Sequence, residues 1–150
     1  MRIVLQRVSS SRVTVAGKQV GAIGPGLLLL IGIGHADDEA EMSLWANQCL
    51  NLRVFSDEQG KMNASVQDVK GEILAVSQFT LYGNCRKGRR PGFSDAAPPE
   101  RANALYEYFV SQLRLGTCNV ATGVFQAHMH VDIQNDGPVT LLLGQDFNVS

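Results

Sequence analysis

Two stretches of this chain carry groups that could act on a substrate. Ser77-Gln78-Phe79-Thr80 places two hydroxyls and a carboxamide at the end of an apolar run. Ser77 and Thr80 are candidate nucleophiles, and the Phe79 and Thr80 backbone N–H groups could face an oxyanion. A hydroxyl attacks only with a base beside it. No His or Asp is close in sequence, so folding would have to bring up His35, His128 or His130. Hydroxyls that merely end a strand are the plain alternative. The second stretch is Asn135-Asp136-Gly137-Pro138-Val139-Thr140. Gly137 has no Cβ, so another molecule can approach its backbone. Pro138 fixes its own φ and biases Gly137 toward an extended shape. The Gly137 carbonyl is then an acceptor held stiffly at a strand end. A tight turn joining the alternating segment 127–134 and the apolar segment 139–143 into a hairpin accounts for the same residues.

Other groups carry weaker signals. His128 and His130 share one face of a strand, but two imidazoles need a third ligand to hold a metal. Packing or surface histidines explain them as well. Arg86-Lys87-Gly88-Arg89-Arg90 gathers four of the thirteen Lys and Arg residues in five positions. Such a run contacts a phosphate backbone or is simply a solvated loop. It has no interleaved aromatics for stacking on single strands.

The elements that must position these groups follow from the apolar pattern. Strand-like runs at residues 2–8, 13–15, 20–23 and 27–33 are separated by Ser9-Ser10-Ser11, Gly17-Lys18 and Gly24-Pro25-Gly26. Connections this short imply antiparallel pairing. The run at 27–33 is apolar on both faces, as a buried central strand is. Asp38 caps a first helix with Glu41 as its capping-box partner. Met42, Trp45, Ala46, Cys49 and Leu50 form the buried stripe of that helix. A short strand is expected at 52–55, a turn at 57–60, irregular chain at 62–69 and a strand at 72–79. Pro98-Pro99 opens a second helix whose apolar face is Ala102, Leu105, Tyr106, Phe109, Val110 and Leu113, with Gly116 as its stop. Strands at 117–122, 127–134 and 139–143 complete a single α+β domain over residues 1–150: a mostly antiparallel, barrel-like sheet with two main helices.

Composition bounds the function. The 150 residues are 45% hydrophobic and 18% charged, with net charge −1. That fits one folded domain and not a uniformly basic nucleic-acid binder. Cys49, Cys85 and Cys118 have no metal-like spacing and read as reduced thiols. The longest apolar run is far short of the ~20 residues of a membrane helix. A cytoplasmic protein that does not enter membranes is expected.

With both motifs in hand, the chain resembles the D-aminoacyl-tRNA deacylase family. Ser77-Gln78-Phe79-Thr80-Leu81-Tyr82 and Asn135-Asp136-Gly137-Pro138-Val139-Thr140 carry the likeness. Gln6-Arg7-Val8, Asn51-Leu52-Arg53, Gly60-Lys61-Met62-Asn63, Arg86-Lys87-Gly88 and Phe93-Ser94-Asp95-Ala96-Ala97-Pro98-Pro99 support it. Two departures stand out. Gly83-Asn84-Cys85 replaces an Ala-Asp-Thr-like triplet, and Gln126 stands where the family carries Gly.

The resemblance implies the family's deacylase fold and hydrolysis of the ester joining a D-amino acid to the 3′ end of tRNA. It implies a homodimer in which each Gly137-Pro138, in the cis form, reaches into the partner's pocket and rejects L-aminoacyl-tRNA. Glycyl-tRNA, including glycine mischarged on tRNA(Ala), is an expected second substrate because glycine has no side chain to exclude. Catalysis falls to Ser77, Gln78, Phe79 and Thr80, through backbone amides aided by the tRNA 2′-hydroxyl or through Thr80 as nucleophile. Arg86, Lys87, Arg89 and Arg90 are the tRNA-binding candidates. The resemblance calls for no metal or cofactor.

Overall fold

The structure is a computed structural model that describes residues 1–147. In chain order the elements are β1 (Arg2–Val15), β2 (Lys18–Ile23), β3 (Gly26–Gly32), α1 (Glu39–Asn51), β4 (Phe55–Ser56), β5 (Met62–Ala64), β6 (Glu72–Ser77), a 3₁₀ turn (Phe79–Tyr82), α2 (Pro99–Leu113), β7 (Val120–Thr122) and β8 (His130–Leu143).

Everything is hung on β1. Along one edge its first half pairs with β3, Ile3 opposite Ile31, and its second half with β2, Ser11 opposite Ile23. Along the other edge β8 pairs with it from Ile3–Leu143 to Thr14–His130. The serine run at residues 9–11 therefore does not end a strand. The strand runs on through it, with Ser10 opposite Gln134 and Ser11 opposite Ile133 of β8, more than 120 residues away in sequence. The four strand-like runs at the start of the chain are three strands.

The same ladder corrects the hairpin reading of the Gly-Pro joint. Strand β8 is continuous across it. Gln6 lies opposite Thr140 and Val8 opposite Asn135, so Arg7 alone faces Asp136, Gly137, Pro138 and Val139. The surplus residues bulge out of the sheet, as unequal pairing requires. The Gly137-Pro138 peptide bond is cis.

The sheet is mixed. β6 lies parallel to β3, with Leu29 opposite Ala75, and β7 lies parallel to β6. α1 and α2 fall within these two connections, which supply the length a parallel crossover needs. The full order is β2-β1-β3-β6-β7, with β8 on β1. The sheet curls until β2 comes against β7, nearly closing a barrel. At that contact a Cβ on Gly21 would collide with the Thr122 carbonyl, so only glycine permits the approach.

The apolar run at 27–33 is buried on both faces, as its pattern predicts. Leu27, Leu29 and Ile31 pack in the cluster under the helices. Leu28 packs on the opposite face with Val8, Val13, Ile23, Leu74 and Val76. Each fully buried Leu or Ile contributes about 1.5–3 kcal/mol. The six apolar residues expected on α2 are all buried, as are the five expected on α1. Asp38 caps α1 by accepting from the Glu41 N–H at 2.9 Å. Glu41 does not complete the capping box; its carboxylate accepts from the Met1 ammonium at 3.0 Å.

Boundaries differ in the short elements. The strand expected at 52–55 is Phe55–Ser56, and it pairs with Met62–Ala64 inside the stretch read as irregular. Between them the Asp57 carboxylate accepts from the Gln59 and Lys61 N–H groups and closes the turn. The strands expected at 117–122 and from 127 onward begin only at Val120 and His130.

Candidate active site

Ser77 is the last residue of β6, and the Gln78 N–H still donates to the Ile31 carbonyl of β3, at 2.7 Å. The chain then turns. The first N–H groups of a helical turn have no partner within it. Among the described residues, no acceptor is recorded for the N–H groups of Phe79 and Thr80. The turn is anchored behind. Tyr82 is buried, and burial pushes its phenol well above the ordinary range, so it stays neutral. The Arg2 guanidinium lies 4.4 Å from the Tyr82 ring centroid and donates to the Leu81 carbonyl at 2.9 Å.

In front of this strand end lies a cavity of about 530 Å³. Ser77, Gln78 and Phe79 form one side. The segment leading into α2 forms another, and residues 125–129 face them. No lining residue is an acid, a lysine or an arginine; His128 is the one titratable group on the wall. Backbone N–H dipoles act more strongly where few counter-charges surround them. The aromatic rings of Phe79 and Phe93 meet edge to face, with centroids 5.2 Å apart. Phe79 lines the cavity and Thr80 lies just outside its wall.

Among the described residues, no histidine or carboxylate is hydrogen-bonded to the Ser77 or Thr80 hydroxyl. The Thr80 hydroxyl accepts from the Gln78 carboxamide in a short hydrogen bond. His35 is bonded to the Ser94 carbonyl at 2.6 Å. His128 and His130 stand with ring centroids 5.0 Å apart, and no third metal ligand joins them among the described residues.

Gly137 and Pro138 are exposed and do not line this cavity. The bulge that carries them is held by a residue the sequence reading left without a role. Arg7 donates to the carbonyls of Val54 at 2.7 Å, Asp136 at 3.2 Å and Gly137 at 3.4 Å, and pairs with the Asp136 carboxylate at 3.1 Å. Arg7, a charge inside the strand-like run at residues 2–8, is the signal the sequence offers. Asn135 completes the hold by donating to the Arg7 carbonyl at 2.9 Å. Within the protomer nothing demands a glycine at 137. A Cβ there would meet only the Asn135 side-chain oxygen, at 3.6 Å, an ordinary contact.

Arg86, Lys87, Arg89 and Arg90 lie on an exposed loop closed by reciprocal Asn84 and Gly92 hydrogen bonds of 2.7 and 3.0 Å. They do not line the cavity, although Phe93, just beyond the loop, does.

The chain matches the family model described as D-Tyr-tRNA(Tyr) deacylase over residues 4–144. It is 60% identical over 143 residues to the D-aminoacyl-tRNA deacylase of Heliobacterium modesticaldum, covering 95% of each chain. It is 56% identical to that of Thermotoga petrophila, covering 95% of this chain and 96% of the other. Among solved structures, one described as a c-Myc DNA unwinding element binding protein is similar with a TM-score of 0.91 and 46% identity, covering 96% of this chain and 98% of that one. Another, described as a "probable eukaryotic D-amino acid tRNA deacylase", has a TM-score of 0.78 at 18% identity, covering 95% of this chain and 97% of that one, a likeness of fold. Because the family match runs from the first strand to the last and takes in both motifs with the elements that carry them, this chain belongs to the D-Tyr-tRNA(Tyr) deacylase family.

Proposed function

We propose that this protein hydrolyses the ester bond of D-aminoacyl-tRNA, releasing free tRNA and the D-amino acid. The observation that carries the reading is the cavity at the end of β6, lined by no acid, lysine or arginine, with the Phe79 N–H at its wall and the Thr80 N–H next to it, neither meeting an acceptor among the described residues, in a member of this family. The ester carbonyl lies against the Phe79 and Thr80 amides, and negative charge developing on its oxygen is met by dipoles already in place. One such donor is worth about 10²–10³ in rate. The free 2′-hydroxyl of the terminal ribose assists the attacking water, so no side-chain base is needed.

Selection of the D form comes from a second copy of the chain. In a homodimer, Gly137-Pro138 of one subunit enters the cavity of the other. Its carbonyls accept from the substrate α-ammonium, and its backbone blocks the direction an L side chain would take. In support, Gly137 is exposed, lies outside its own cavity, and is glycine for no reason inside its own protomer. Sparing L-aminoacyl-tRNA needs at least ~10³ discrimination, or ~4 kcal/mol. A lost hydrogen bond supplies only ~1–3 kcal/mol, so steric exclusion must supply the rest. Glycyl-tRNA, with nothing to exclude, is hydrolysed too, including glycine mischarged on tRNA(Ala). The enzyme works in the cytoplasm, and Arg86, Lys87, Arg89 and Arg90 meet the tRNA backbone.

The test is to incubate the protein with D-tyrosyl- and L-tyrosyl-tRNA and follow release of the amino acid. Rapid release of the D form alone is expected; equal rates for both would overturn the reading. Nucleic-acid binding without chemistry is the second reading. It has in its favour the exposed basic loop and the likeness to the structure described as a c-Myc DNA unwinding element binding protein. It predicts retention of both charged tRNAs and release of neither amino acid.

A further inference from the structure

Gln126 is out of place by local rules. It sits at the third position of a turn in which the Ala127 N–H donates to the Val124 carbonyl at 3.1 Å. Its φ is +63°, where glycine or asparagine is preferred. The other non-glycine residues with positive φ are Ala16, in the β1–β2 turn, and Lys70, in the turn before β6. Gln126 alone of the three lines the cavity. A residue kept in an unfavoured conformation at a cavity wall points to use of its side chain. That side chain is exposed, and no hydrogen bond is recorded for it among the described residues. The other carboxamide on the wall, Gln78, is already committed to the Thr80 hydroxyl.

What the carboxamide can read follows from the rest of the wall. Phe79, Phe93 and Phe125 offer aromatic surface for a flat heterocycle. A glutamine carboxamide matches one base edge with two hydrogen bonds, accepting from N6 and donating to N7 of adenine. The nucleotide bearing the ester in a charged tRNA is an adenosine. Resting on the deacylase reading above, we propose that Gln126 recognises the N6/N7 edge of that terminal adenine and so holds the tRNA 3′ end in the cavity.

The experiment compares the wild type with Gln126→Gly on D-tyrosyl-tRNA ending in adenosine or in 7-deazaadenosine, which lacks the N7 acceptor. For the wild type, the 7-deaza substrate should raise KM about tenfold with kcat little changed. Gln126→Gly should show that higher KM already on adenosine, with little further loss on 7-deazaadenosine. Its melting temperature should equal or exceed the wild type's, because glycine suits the turn. The proposal is overturned if Gln126→Gly keeps the wild-type KM, if the two substrates remain as different for the variant as for the wild type, or if the variant melts lower, which would make the side chain a structural part of the turn. A wild type that hydrolyses neither substrate would instead sink the deacylase reading itself.

Discussion

Thr80 offers a hydroxyl one residue beyond the cavity wall, and no base is bonded to it among the described residues. Its recorded polar partner is the Gln78 carboxamide, which is neither an acid nor a base. If the backbone amides and the substrate's own 2′-hydroxyl carry the reaction, Thr80→Ala should keep kcat on D-tyrosyl-tRNA within about tenfold of wild type, because the Thr80 N–H survives the change. Loss of a covalent nucleophile costs orders of magnitude more. A single-turnover assay separates the two. Arg7 makes the opposite case, a side chain that matters without touching the cavity. Its guanidinium serves three carbonyls and one carboxylate, and removing it leaves those acceptors without their charged donor. Arg7→Ala should lower unfolding stability in urea by about 1–3 kcal/mol and reduce turnover of the D substrate. Arg7→Lys should recover only part of both, since one ammonium cannot reproduce the planar fork. The sequence displayed the Ser77–Thr80 motif because its chemistry is contiguous. It hid the role of Arg7, whose partners come from the distant 54 and 136–137 regions.

Among the elements, those with a local cause were the legible ones. Both helices were readable because an amphipathic stripe and a cap are written within a few residues, and every buried position expected on them is buried. Strands β1 and β8 were misread as pairs of shorter strands for one shared reason. Serines and a Gly-Pro look like breaks, yet each strand continues because the other one is there to pair with it. The β4–β5 hairpin was half seen, since its turn is fixed by a single carboxylate. That turn and the one at residues 65–71 make a prediction. The Asp57 carboxyl is held below its ordinary value of 3.8 chiefly by the Lys61 backbone N–H. The Asp68 carboxyl is held below 3.8 chiefly by the Ser65 backbone N–H. A carboxyl whose folded value is lowered favours the fold at pH values above 3.8, and that contribution fades as pH falls through the folded value. Thermal melts of the wild type should therefore drop as pH is taken below 3.8. The Asp57→Asn/Asp68→Asn double variant should show a shallower drop over the same window, and parallel curves would refute the assignment.

At the scale of the whole molecule, the proposed cross-subunit selection requires two chains for each complete site. The cavity and the Gly137-Pro138 bulge belong to the same protomer but do not meet in it. Two inactive variants should therefore repair each other if the bulge crosses between subunits. Phe79→Pro removes an N–H from the cavity lip at the first position of its turn, where proline fits the backbone. Gly137→Ala spoils the bulge, and its added methyl has room within its own protomer, so folding should survive. Each alone should be nearly inactive on D-tyrosyl-tRNA. When the two are unfolded together in equal amounts and refolded, about half of the dimers are hybrids. Each hybrid pairs the intact cavity of one subunit with the intact bulge of the other, and its second site carries both defects. Activity should return to roughly a quarter of the wild-type value per protein, as random pairing in a two-fold dimer requires. Variants refolded separately and then mixed without exchange should stay inactive. If co-refolding yields hybrid dimers, identified by native mass spectrometry, that remain inactive, the bulge acts on its own subunit or not at all. In that case the selection of handedness would have to be sought within a single cavity.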